Sequence, residues 1–211
     1  MKYPAKNSGG DFTPVPAGTY TAVCDMVVDL GMQPGTDLYP KAKRQVYIRF
    51  ELPAERIDFE KDGKKQNGPA VIGKTYTASM NEKATLRAHL ESWRRVEFTD
   101  AEAEDFETAN LLGRPCTLSI VHTNKNGKTY ANIAAIGKVM RGAEKTMAEI
   151  TPIYYGPDKT STYAQLPEWL RTKIDGQIVP EPEPEPAPQD DDIPPSDVYA
   201  GTAITDDDFP F

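Results

Sequence analysis

Apolar side chains recur at every second position over Tyr20, Ala22, Cys24, Met26 and Val28, the period of a half-buried strand. After the loop "GMQPGTDLYPKAKR", the stretch "QVYIRFEL" repeats that period. Val46, Ile48, Phe50 and Leu52 face one way, and Gln45, Tyr47, Arg49 and Glu51 face the other. "RIDFEKDGKKQNGP" reads as a long polar connection, and "AVIGKTYTA" as a third strand. The period then becomes helical. Leu86, Leu90 and Trp93 form one apolar stripe behind Ser79 and Glu82, which have capping-box spacing. Thr99 and Glu102 repeat that spacing and open a second helix expected to stop at Gly113. "PCTLSIVHT" and "KTYANIAAIGKV" read as two strands joined by the turn Asn124-Lys125-Asn126-Gly127.

The pattern is mainly β with a helical insertion: five strands, with the helices between strands 3 and 4. That is the element order of an OB-fold barrel, assigned here to residues 1–150. Residues 151–176 are aromatic-rich, with a short helix near Trp169, and are expected to pack back onto the body or onto a second subunit as a homodimer contact.

Charge divides the chain of 211 residues. Residues 177–211 hold ten Asp and Glu and no Lys or Arg, whereas residues 1–176 keep 24 basic against 22 acidic residues. The net charge of −8 therefore describes the tail, and the body is slightly basic. Residues 177–205 include "PEPEPEPAPQDDDIPP", in which proline removes backbone donors and like charges repel; an extended, disordered linker is expected. No apolar run approaches the roughly 20 residues of a membrane span, and the opening residues lack the apolar stretch of a secretory signal. Cys24 and Cys116 have no metal-type spacing and read as reduced core thiols of a cytoplasmic protein.

Residues 206–211 end the chain as "DDDFPF". This resembles the C-terminal tip of bacterial single-stranded DNA-binding proteins, an acidic run closing on Asp-Asp-Ile-Pro-Phe or Asp-Asp-Leu-Pro-Phe. Phe209 stands where that family has Ile or Leu, while Pro210 and Phe211 match. The motif covers only the last six residues. Within the body, "ATLRAHLESWRR" and "LLGRPCTLSIVH" look similar to bacteriophage-encoded proteins of the same class. The resemblance implies a protein that coats single-stranded DNA in a bacterial host during phage replication, recombination and repair. Its tip would recruit partner enzymes. Physically, the Phe211 ring suits an apolar pocket, its carboxylate an Arg or Lys, and Asp206, Asp207 and Asp208 a basic rim.

An OB-type single-strand interface centres on strands 2 and 3, where cations follow the phosphates and exposed rings stack on bases. The residues in those places are Tyr47 and Arg49, the loop cations Lys41, Lys43 and Arg44, and Lys74 and Tyr76, which alternation puts on one side of the third strand. Lys125, Lys128 and Tyr130 come from the last hairpin, and Arg94 and Arg95 from the end of the first helix. Catalytic signals are sparse: two distant histidines, His89 and His122, and no phosphate-binding glycine loop or nucleophile elbow. No enzyme activity, metal or cofactor is expected. Two alternatives remain open, a strand-annealing recombination mediator and a protein-only decoy that mimics the host tail.

Overall fold

The computed structural model describes residues 14–35, 40–61 and 64–178. The linker from residue 179 onward and the docking residues Asp206, Asp207, Asp208, Phe209, Pro210 and Phe211 lie outside the described residues.

The strand–helix–strand order read from the sequence is the order observed. Three long strands, β1 (Gly18–Gln33), β2 (Lys43–Lys61) and β3 (Lys64–Thr77), come first. Helices α1 (Thr85–Arg94) and α2 (Asp100–Glu104) follow, then β4 (Pro115–Lys125) and β5 (Lys128–Lys138). A short β6 (Ile153–Tyr155) and α3 (Glu168–Asp175) complete the described residues. The sheet path is β3-β2-β1-β4-β5 with every neighbour antiparallel, and β6 adds parallel to β1 along Met26–Val28. β3 and β5, at the two ends of that path, approach each other where the Lys74 ammonium donates to the Ile133 carbonyl at 2.9 Å.

Local chemistry explains several boundaries. Asn126 and Gly127 take left-handed φ of 52° and 74°, so the β4–β5 turn forms where Asn-Gly predicts it. The Thr99–Glu102 capping box forms reciprocally at the start of α2. That helix nevertheless ends at Glu104, well short of Gly113, and a 3-10 turn over Thr108–Leu111 carries the chain onward. The other expected cap fails. Ser79 Oγ accepts the Asn81 N–H and Asn81 Oδ1 accepts the Lys83 N–H, so these side chains hold local turns and α1 starts only at Thr85. The polar stretch is not a loose connection: residues 56–61 and 64–69 continue the β2–β3 ladder as two paired strands beyond a bulge between Leu52 and Arg56. A ladder needs only backbone groups, so a two-stranded arm in water shows no apolar alternation.

Two apolar clusters hold the body. The larger joins Ala22, Cys24 and Val27 of β1 and the inward residues of β2 to Leu86, Leu90 and Trp93 of α1 and to Leu118, Ile120, Ile133 and Ile136. The smaller lies on the other side of β1, where Met26, Val28 and Leu30 meet Leu166, Leu170 and Ile174. A register shift between Cys24 and Met26 separates them. The extra residue there, Asp25, reverses the phase of the strand. Cys24 therefore points into the large core while Met26 and Val28 point into the small one, and β1 is buried on both faces rather than one. Both cysteines are free and buried, on neighbouring strands, and burial pushes both thiols up.

Candidate nucleic-acid interface

Alternation predicted an open polar face on β2, and the structure covers it. Residues 149–174 lie across that face. Tyr47 meets the ring of Trp169 edge-on, with centroids 5.0 Å apart at 89°, and burial pushes its phenol up to about 12. Arg49 places its guanidinium against Asp25, Nη2 to Oδ2 at 2.6 Å and Nε to Oδ2 at 3.0 Å. Asp25 is fully buried and Arg49 nearly so, with side-chain exposures of 0% and 15%. Glu51 is buried too, and its two oxygens accept the backbone N–H groups of Glu149 and Ile150 at 2.7 and 2.8 Å. Tyr47 and Arg49, expected as the centre of a DNA-contacting face, are instead engaged within the fold: Tyr47, with Glu51, seats the C-terminal part of the body, and Arg49 is held by Asp25 of β1.

Lys74 and Tyr76 were expected on the same side as that pair. Cross-strand register reverses this: Lys74 lies opposite Ile48 and Tyr76 opposite Val46, whereas Tyr47 faces Thr75 and Arg49 faces Gly73. Lys74 and Tyr76 therefore belong to the core-facing side of β3. Tyr76 is buried, hydrogen-bonded through its hydroxyl to His89 Nδ1 at 2.9 Å, so its ring is not an exposed stacking surface. Burial lowers the Lys74 ammonium from its usual value, and burial also lowers His89, with Lys74 adding to the effect.

A groove opens at the end of β3, and Lys74 lines it while its ammonium donates to the Ile133 carbonyl. Its volume is about 580 Å³. Lys43, Lys74 and Lys83 line it, with Thr75, Tyr76, Thr77, Ser79, Asn81 and Thr85; among the described residues no Asp or Glu lines it. The first residues of α1 form one wall, and Ala84 at the N-cap offers no side-chain acceptor, so the positive end of the helix dipole adds to the lysines. Three expected residues, Lys43, Lys74 and Tyr76, thus converge. Lys83 was missed, because the capping pattern placed it inside a helix that starts later. Converging cations and hydroxyl donors suit an anionic, phosphate-bearing ligand.

The remaining residues are spread over the surface. Lys41 is exposed, and Arg44 pairs with Asp29. Lys125, Lys128 and Tyr130 stand exposed on the β4–β5 hairpin. Arg94 pairs with Glu102 at 2.9 Å and lies 4.2 Å over the Phe98 ring; Arg95 ends α1 in the left-handed conformation and is exposed. The Asp25–Arg49 pair did have a sequence signal: an acid inside the apolar run "AVCDMVV" needs a cation if it is buried, and Arg49 follows one strand later. Among the described residues no cluster of three His, Cys, Asp or Glu side chains is placed to hold a metal, and no helix is long and apolar enough to cross a membrane. Comparison with known proteins gives no match to a family model, to a curated protein or to a solved structure.

Proposed function

We propose that the body is an OB-type barrel that binds single-stranded DNA without sequence preference, and that the Phe-terminated tip recruits replication, recombination and repair enzymes of phage or host. The observation that carries the binding role is the convergence of Lys43, Lys74 and Lys83 on one groove. Phosphates neutralised there release counterions, so affinity falls with salt. The OB reading rests on the strand path, on β1 serving both β2 and β4, and on the approach of β3 to β5. The exposed hairpin cations Lys125 and Lys128 extend the basic surface, with Tyr130 as a ring available for stacking.

The charge division gives the test. Ten tethered acids compete with DNA for the lysines at high effective concentration. Fluorescence anisotropy with labelled oligo-dT compares the full chain with a chain ending at Ile178, whose N–H still bonds the Met32 carbonyl at 2.8 Å. The shortened chain binds more tightly, and the difference shrinks as salt rises. Absence of binding by both forms at low ionic strength refutes the proposal and favours the decoy. Faster pairing of complementary strands identifies an annealing protein.

A further inference from the structure

We propose that Asn126 is a site of self-modification: the Gly127 backbone nitrogen attacks its side-chain amide, and the product carries a carboxylate at the tip of the β4–β5 hairpin. The chain has two Asn-Gly pairs, Asn67-Gly68 and Asn126-Gly127, and the fold treats them oppositely. Glycine has no side chain to shield its own nitrogen, so either pair could react in an open chain. At the first pair the amide is held at both ends. Asn67 Nδ2 donates to Asp58 Oδ1 at 2.8 Å, and Asn67 Oδ1 accepts from Arg56 Nε at 3.1 Å. Gly68 is buried, with the Phe59 ring so near that a Cβ there would come within 3.0 Å of it. Both residues sit in the β2–β3 ladder, opposite Asp58 and Ile57.

The second pair is open. Asn126 and Gly127 are exposed, and a Cβ on Gly127 would meet nothing within 4 Å. They form the turn itself, beyond the last ladder pair, which is Lys125 with Lys128. That pair sets like charges directly opposite each other and weakens the hairpin end, so the turn opens at small cost. In the opened turn the Gly127 nitrogen bonds to Asn126 Cγ, the Cγ–Nδ2 bond breaks, and the glycine proton leaves with Nδ2 as ammonia. Water then opens the succinimide ring. Breaking the bond from the Gly127 nitrogen to Cγ gives Asp. Breaking its bond to the main-chain carbonyl carbon gives isoaspartate, whose backbone is one atom longer. Asp tolerates the left-handed position as Asn does, so the Asp form keeps the turn. Its carboxylate, next in sequence to Lys125 and one residue from Lys128, offsets one of their charges.

The modification stands apart from the proposed single-strand binding; only its consequence for DNA rests on that reading, and the experiment separates the two. The full chain is incubated in mildly alkaline buffer, native and in denaturant, and digested for peptide mass spectrometry. In denaturant the two Asn-Gly pairs lose ammonia at similar rates. In the native chain Asn126 reacts about tenfold or more faster than Asn67. Equal rates in the native chain, faster loss at Asn67 or no loss at either overturn the inference. Asn126→Asp, a stable copy of the Asp product, is then titrated with oligo-dT over a range of salt. The slope of log affinity against log salt falls by about one, because one lysine is withdrawn from the phosphates. An unchanged slope, with wild type binding, overturns the consequence for DNA and leaves the modification standing. If wild type binds no strand while Asn126 reacts first, the site stands and the proposed function falls.

Discussion

Replacing Arg49 with methionine keeps most of the unbranched stem but removes the cation from Asp25, which has no exposed surface through which water could solvate it. Stranding one partner of such a pair costs about 3–5 kcal/mol. A body of this size shifts by roughly 2–4 °C per kcal/mol, so the melting temperature of Arg49→Met should fall by about 6–20 °C. Adding Asp25→Asn should recover part of the loss, since no charge is then left buried alone. Circular dichroism melts of the two single variants, the double variant and wild type measure both effects. The same proteins are then titrated with oligo-dT over a range of salt. Because the guanidinium is spent on Asp25, the slope of log affinity against log salt should not change, whereas a phosphate contact would lower it by about one. A variant that melts within a degree of wild type, with a shallower salt slope, would show that Arg49 serves the nucleic acid and that the pair is incidental.

Three further outcomes follow from the geometry. Lys83→Ala should leave the melting temperature unchanged and reduce the salt slope of oligo-dT binding by about one, because its ammonium lines the groove. Gly73→Ala should destabilise by about 1–3 kcal/mol in chemical denaturation, since the new methyl group meets the Tyr47 hydroxyl; an unchanged midpoint would mean that Tyr47 swings aside without cost. His89 titrates below its ordinary value of about 6.5 because of burial and Lys74. As pH falls through about 6.5, the unfolded chain takes up a proton that the folded chain refuses. Stability therefore drops on acidification until the folded value is passed, and His89→Gln should flatten that part of a melting-temperature profile against pH.

Where the physics is local, the sequence was enough. The Asn126-Gly127 turn, the Thr99–Glu102 cap, the Leu86–Leu90–Trp93 stripe and the inward set Val46, Ile48, Phe50 and Leu52 each depend on residues a few positions apart, and each stands where it was read. The capping pattern at Ser79 failed because a nearer competitor, the Asn81 turn, used the same side chain. The candidate site was only partly legible. Lys43, Lys74 and Tyr76 do meet, but in the groove at the end of β3 rather than on a face shared with Tyr47 and Arg49.

The amino-acid order by itself determined the succession of the five main strands with helices between the third and fourth, and the division of charge between body and tail. Tertiary structure alone decided which side of each strand is the outside. Alternation relates neighbours within one strand and carries no information about register between strands, and a one-residue shift exchanges the two faces. The bulge at Asp25 makes that exchange within β1. Trp169 and Leu170, more than a hundred residues away, then close over the face that β2 alone would have left to water.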